Sequence, residues 1–283
     1  MAISCRTPLK VATAVGIHAF WLCCVFDGRR RCYTLWRLIP ATRLLTAQMR
    51  ALLDKMDTLV LCSGGLDSVI LADKVANERA LSGLISFDYA QRHAKELSFA
   101  GRCAERHGVA HDIIDISAVG ARLSGSALTD DIAVPDGHYA HETMKVTIVP
   151  NRNAIMLTIA FAIAAARGVK AVGAAMHGGD HFIYPDCRPE FLEAFASMQK
   201  CALDGGKPDE LYTPFVTCSK ADIVGEGARL KTPFAETWSC YKGGHIHCGR
   251  CGTCIERREA FEIADIDDPT EYEDKTDWRN IGS

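Results

Sequence analysis

From residue 57 onward, short apolar runs alternate with stretches in which apolar residues recur at helical spacing. Leu59-Val60-Leu61-Cys62 ends in Gly64-Gly65 and has the pattern of a buried strand that enters a tight turn. Val69, Ile70, Leu71, Ala72 and Val75 then predict a helix to about Arg79. Leu84-Ile85-Ser86-Phe87-Asp88 suits a second buried parallel strand. A helix to about His107 and a third strand over residues 111–116 follow. Residues 117–150 have weak periodicity, and a connection of that length in a compact domain is usually functional or mobile. Ala154 to Arg167 is strongly apolar and closed by Gly168, a helix ended by a left-handed cap, with Asn153 as its candidate N-cap. A strand over 171–175 and a helix from Pro189 to about Leu203, burying Phe191, Leu192, Phe195 and Met198, continue the alternation. Ser219-Lys220-Ala221-Asp222 has capping-box spacing with aspartate in place of glutamate; Lys220 is expected to be exposed. The whole predicts an α/β fold, a doubly wound parallel sheet with helices on both faces.

Residues 1–55 differ from the rest. An apolar stretch over 11–26 precedes Arg29-Arg30-Arg31, but it is shorter than the roughly 20 residues a membrane helix needs. It loosely imitates a signal peptide without a plausible cleavage site. An export or anchor signal, a small added element, and translated sequence upstream of a start at Met49 or Met56 compete. The last is favoured, because Met56 stands directly before the first strand. The expected organisation is an extension over 1–55 outside the catalytic fold, a nucleotide domain over 56–235, a metal-binding element with a helix over 236–264, and an acidic, solvated tail over 265–283.

Composition narrows the classes. A net charge of −3 over 283 residues argues against a protein that coats nucleic acid, which leaves a basic excess. Thirteen cysteines are scattered through an ordinary globular composition, which suits a reducing compartment. Four of them, Cys240, Cys248, Cys251 and Cys254, give C-x7-C-x2-C-x2-C, the ligand set of a structural Zn²⁺ site with no position left for an activated water. A redox pair, or His245 or His247 displacing one cysteine, is the alternative.

The turn Ser63-Gly64-Gly65-Leu66-Asp67-Ser68 leaves backbone N–H groups at a helix N-terminus, where the dipole suits a phosphate chain. Ser63 and Ser68 add hydroxyl donors. It lacks the lysine of a Walker loop and carries an aspartate. The turn resembles the SGGxDS signature of the PP-loop ATP pyrophosphatases, which cleave ATP between the α- and β-phosphates. That resemblance implies ATP contacts along Leu61, Cys62, Ser63, Gly64, Gly65, Leu66, Asp67, Ser68, Val69, Ile70 and Leu71. Gln91, Arg92 and His93 fall beyond a strand end, where open α/β sheets bind ligands. Arg152 and Arg188 are candidates for phosphate or carboxylate. Asp180, Tyr184 and Asp186 lie in a polar segment past another strand.

Together, SGGLDS at 63–68, FDYAQRH at 87–93, VPNRN at 149–153, YPDCRPEF at 184–191 and the cysteine cluster resemble the 7-cyano-7-deazaguanine synthase family, known as QueC. The chain departs from the family pattern before residue 56 and at His181-Phe182-Ile183. The resemblance implies an adenine nucleotide alpha hydrolase-like fold of PP-loop type and a ligase forming carbon–nitrogen bonds. Its substrates would be 7-carboxy-7-deazaguanine, ammonia and ATP with Mg²⁺, and its product the nitrile preQ0 for queuosine. Asp67, Ser68, Arg152 and Arg188 become the catalytic candidates, with Ser63, Gly64, Gly65, Asp67 and Ser68 on the diphosphate and its Mg²⁺. Gln91, Arg92, His93, Asp180, Tyr184 and Asp186 become the substrate contacts. A homodimer in the cytoplasm, with no nucleic acid or membrane partner, is also implied. Two other readings stand beside it: a PP-loop tRNA thiolase, with Cys187 or Cys218 as sulfur carrier, and a zinc-ribbon interaction module on a degenerate nucleotide fold.

Overall fold

The computed structural model describes residues 56–281 continuously and four short strands before them. The chain divides into two compact units, residues 1–54 and 55–283. In the first unit, β1 (Leu9–Thr13) pairs antiparallel with β2 (Gly16–Phe20), and β3 (Cys24–Phe26) with β4 (Cys32–Thr34). Met49 and the linkers among these strands lie outside the described residues, so the choice among the three N-terminal readings falls there as well. No helix among the described residues is long and apolar enough to cross a membrane.

The second unit is a five-stranded parallel sheet with β5 (Asp57–Leu61) at its centre. On one side lie β6 (Ala80–Asp88) and β7 (His111–Asp115), on the other β8 (Ala171–Gly173) and β9 (Glu210–Tyr212), every pair parallel. Successive side chains point to opposite faces of a strand, so a strand covered on both faces must be apolar at every position. Leu59 accordingly packs with Leu157 and Phe161 of α3 (Arg152–Arg167) and Leu192 of α4 (Pro189–Ala202). Val60, one residue on, packs on the other face with α1 (Leu66–Glu78), α2 (Glu96–His107), α5 (Lys220–Leu230) and α6 (Gly252–Ile263). The chain leaves β5 for α1 on one face and reaches β8 from α3 on the other. The strand order therefore reverses beside β5, and the crevice at the strands' C-terminal ends is where such sheets bind ligands.

Several expectations are corrected. Strand β6 begins at Ala80 rather than Leu84, because Ala80 and Leu81 pair with Asp57 and Thr58 of β5 although the segment Ser82-Gly83 breaks its apolar pattern. Strand β9 has no apolar run of its own, being three half-buried residues on the sheet edge. Asn153 is not an N-cap. Helix α3 starts one residue earlier, and its Asn153 N–H donates to the Asp186 carboxylate at 2.9 Å.

The connection over 117–150 is tethered to the cysteine element, with Ala127 and Val134 packed among the four cysteines and the Gly137 N–H donating to the Arg250 carbonyl. Residues 265–281 are likewise no solvated tail. Arg257, fully buried, donates to Asp268 at 3.2 Å, the Tyr272 hydroxyl donates to the same carboxylate, and the Glu273 and Asp274 N–H groups donate to the His247 and Cys248 carbonyls. One acidic side chain, Asp268, and the backbone of Glu273 and Asp274 thus hold the segment across the cysteine element.

Candidate active site

The turn between β5 and α1 is shaped by Gly64. Its φ is +88°, a region costly for side chains, and a Cβ there would stand 2.1 Å from the Glu96 carbonyl oxygen of α2. Gly64 therefore lets the turn lie against α2. Its neighbours open onto a cavity of about 240 Å³, lined by Ser63, Gly65, Leu66, Asp67 and Ser68. The start of α1 has no side-chain cap, and no hydrogen bond reaches the N–H groups of Leu66, Asp67 and Ser68 among the described residues. Unmatched first-turn donors are the usual cradle for an anion. The Ser63 and Ser68 hydroxyls lie 3.2 Å apart beside them.

Charge for the diphosphate comes from far along the chain. Ser219 caps α5 in a full capping box with Asp222, and the next residue, Lys220, reaches inward. Its Nζ lies 2.8 Å from Asp67 Oδ2 and 3.0 Å from Glu256 Oε2 of α6, with only 14% of the side chain exposed. The expectation of an exposed Lys220 fails because the cap turns the first residue of α5 toward the cavity. Desolvation opposes its charge, but Asp67, Glu256 and Asp180 outweigh it and hold its pKa above the ordinary lysine value. Desolvation likewise opposes the Asp67 carboxylate, but Lys220 and His177 outweigh it and hold its pKa low. His177 Nε2 stands 3.5 Å from Asp180 Oδ2, and the Tyr139 hydroxyl donates to Asp180 Oδ1 at 2.9 Å.

The cavity lining also carries Arg152, Tyr89, His93, Glu96, Tyr184 and Tyr241. Arg152 Nη1 donates to the Tyr89 hydroxyl at 3.4 Å and has no carboxylate partner among the described residues. Burial pushes Tyr89 up to about 12, so its hydroxyl stays neutral. The Tyr184 hydroxyl bonds Thr147 at 2.9 Å and meets that of Tyr241 at 3.4 Å.

Of the residues singled out in the sequence, the cavity wall brings together Leu61, Cys62, Ser63, Gly65, Leu66, Asp67, Ser68, His93, Arg152, Asp180 and Tyr184. Val69, Ile70 and Leu71 are wholly buried in the core. Gln91 is used inside the strand end, accepting from the Tyr89 N–H and donating to the Phe87 carbonyl. Arg92 is exposed and donates to the Asp130 and Ile132 carbonyls. Asp186 binds the start of α3, and Arg188 is exposed with its Nε on the His181 carbonyl at 2.9 Å. These last four are not in the wall. Sequence reasoning missed Lys220, Glu256, His177, Glu96 and Tyr139. For Lys220 a signal existed: a phosphate-binding turn without its own lysine needs a cation from elsewhere.

The four cysteines fit Zn²⁺. Their sulfurs all lie within 4.8 Å of one another, and Cys248 and Cys254 are 3.9 Å apart, against edges of about 3.8 Å in a tetrahedron with 2.3 Å Zn–S bonds. N–H groups of Arg250 and Cys251 point at Cys248 Sγ, as a thiolate requires. His247 is outside this set, accepting from the Ser239 N–H at 3.0 Å. Of the two sulfur-carrier candidates, Cys187 lines the cavity and Cys218 does not; burial raises both thiols, which opposes the thiolate such chemistry uses.

Residues 57–265 match the family described as queuosine biosynthesis protein QueC. A 7-cyano-7-deazaguanine synthase of Rhizobium rhizogenes is 69% identical over 223 residues, 79% of this chain and 94% of the relative. One of Brucella ovis is 68% identical over 224 residues, 79% of this chain and 97% of the relative. Among solved structures, NMN synthetase from Francisella tularensis is similar with a TM-score of 0.41 at 13% identity, covering 76% of this chain and 79% of its own.

Proposed function

The chain belongs to the QueC family and makes 7-cyano-7-deazaguanine in queuosine biosynthesis, and from that premise we propose a route through two adenylations. A nitrile is made from a carboxylate by removing two oxygens, each a poor leaving group until activated. ATP adenylates the carboxylate of 7-carboxy-7-deazaguanine, ammonia displaces AMP to give the amide, and adenylation of the amide oxygen lets AMP leave as the nitrile forms.

The observation that carries this reading is the pairing, in one cavity, of unmatched N–H donors at the start of α1 with an Arg152 guanidinium that has no carboxylate of its own. The donors of Leu66, Asp67 and Ser68 hold the departing diphosphate, and Lys220 adds positive charge beside them. Arg152 takes the substrate carboxylate in a charge-assisted fork, which aligns it with the α-phosphate. Asp67, whose Oδ1 is buried without a partner, fits a carboxylate ligand for Mg²⁺. That ion, when bound, offsets charge on the leaving group. Zn²⁺ on Cys240, Cys248, Cys251 and Cys254 holds the segment that supplies Tyr241 and Glu256 and takes no part in the chemistry.

Incubation with ATP, Mg²⁺, ammonium and 7-carboxy-7-deazaguanine, followed by mass analysis, tests the proposal. It expects the nitrile with two AMP per product. Formation of ADP, or of nitrile with a single AMP, overturns it. A homodimer in the cytoplasm belongs to the same reading, and sedimentation and cell fractionation check it.

A further inference from the structure

The wall that holds Arg152 also holds a carboxylate that the adenylation steps leave without work. Glu96, at the start of α2, lines the cavity with 12% of its side chain exposed. Its Oε1 accepts from Gln91 Nε2 at 3.4 Å and stands 3.4 Å from His93 Nε2. No hydrogen bond reaches Oε2 among the described residues, and Oε2 is not sealed away, on a residue that lines the cavity. His93 is 4% exposed, with its Nδ1 buried and unpartnered.

A largely buried carboxylate and guanidinium in one wall would each be relieved by pairing with the other. Arg152 and Glu96 make no such contact: the first ends on the Tyr89 hydroxyl and the second on Gln91 and His93. A guanidinium and a carboxyl group kept apart in one cavity suit two reactants of opposite charge, the carboxyl ionising when a cation arrives beside it. The substrate carboxylate answers Arg152. What answers Glu96 must be a small cation, and the reaction proposed above, on which this inference rests, consumes one that fits: ammonium.

We propose that Glu96 is the ammonium subsite and the proton acceptor of the amide-forming step, with His93 and Gln91 holding Oε1 so that Oε2 faces the incoming nitrogen. Ammonium gives one proton to the Glu96 carboxylate and becomes ammonia. Its freed electron pair forms the bond to the adenylated carbonyl carbon, and the bond from that carbon to the adenylyl oxygen breaks. AMP takes that electron pair, and its phosphate receives the second surplus proton of the nitrogen. No oxidant or reductant is needed.

The electrostatics agree. Burial pushes the Glu96 carboxyl up to about 8, with Arg152 and Gln91 pulling the other way; in the empty cavity it is therefore mostly the neutral acid at neutral pH, an ammonium ion beside Oε2 draws it back to the carboxylate, and a base of that strength then takes a proton from the bound ammonium. Burial pushes His93 down to about 3, which leaves a neutral imidazole that does not compete for the site as a cation. The other titratable groups around Glu96 are Tyr89 at the end of β6, Cys62 at the end of β5 and Arg152 at the start of α3.

The test compares ammonium with hydroxylamine, a nucleophile that is neutral at neutral pH and has no proton to shed before attack. In Glu96→Gln, substrate-dependent ATP–pyrophosphate exchange reports adenylation apart from the ammonia step. Loss of a charge-assisted contact is expected to raise KM for ammonium about 10- to 150-fold and to leave hydroxylamine turnover within about threefold, a difference of less than 1 kcal/mol. Glu96→Asp, which keeps the charge one methylene further back, is expected to exchange pyrophosphate and to raise KM for ammonium about tenfold. An unchanged ammonium KM in an exchanging variant overturns the proposal. So does a parallel fall with hydroxylamine, or loss of exchange in both variants. Absence of exchange in the unaltered enzyme refutes the adenylation reading instead.

Discussion

Replacing Lys220 with methionine keeps most of its volume and removes a cation that sits among Asp67, Glu256 and Asp180. Contacts of 2.8 and 3.0 Å correspond at an effective dielectric of 20 to a gross attraction of about 6 kcal/mol each. Desolvation of all the charges consumes much of that. Removing one partner from such a cluster leaves the others buried and uncompensated, at a cost of about 3–5 kcal/mol.

The pH dependence follows from the shifts. Asp67 has its pKa lowered in the fold, so its contribution is present above the unfolded value of about 3.9 and is lost as pH falls through the lower folded value. Lys220 has its pKa raised, so its contribution is complete below about 10.4 and is lost as pH rises through the folded value. In Lys220→Met the sign for Asp67 reverses, because burial and repulsion from Glu256 then raise its pKa, and Glu256, already raised by burial, rises further; the fold is then penalised as they ionise. Urea titrations at pH 7 and pH 5 should show a deficit of about 3–5 kcal/mol at pH 7, with unchanged m value, that shrinks by at least about 1 kcal/mol at pH 5. A deficit below about 1 kcal/mol at pH 7, within the range of a surface pair, or one that grows on acidification, refutes the reasoning.

Three further outcomes follow from the same geometry. Arg152→Gln should raise KM for 7-carboxy-7-deazaguanine about 10- to 150-fold in steady-state assays while changing KM for ATP little; equal effects on both would remove its assignment to the carboxylate. Asp186→Ala should lower stability by about 1–2 kcal/mol through loss of its contacts with the first turn of α3, and thermal unfolding with kinetics should find KM for the base unchanged. Elemental analysis should find one zinc per chain, and a strong chelator should lower the unfolding temperature and release the segment over 236–281, seen as new protease cleavage there; a chain that keeps its unfolding temperature without metal contradicts a structural role.

Legibility in the sequence tracked the distance over which each constraint acts. The SGGLDS turn, the C-x7-C-x2-C-x2-C spacing and the Gly168 stop are local: a few consecutive residues carry both the geometry and the chemistry, and the structure places them in a turn, a cluster and a left-handed cap. Strand β5 was readable because it is an apolar run, and β7 from its place in the alternation around Ile113 and Ile114. The first residues of β6 and all of β9 were not, because partner strands rather than their own side chains hold them in the sheet. In the segment over 177–190 all the polar residues looked alike. Asp180 turned to the cavity, whereas Asp186 bound the start of α3 and Arg188 the His181 carbonyl.

Hydrophobic periodicity and short motifs determined, without coordinates, that this chain is a parallel α/β sheet with a nucleotide-type turn and a four-cysteine element, since both depend on neighbours within a few residues. Only the tertiary structure decided which charges meet: Lys220 with Asp67 and Glu256, and Arg152 left without Glu96. The physical reason is that a buried charge takes its meaning from whatever surrounds it. Here those surroundings come from segments as far apart as those of Asp67 and Glu256, which folding alone brings into one cavity.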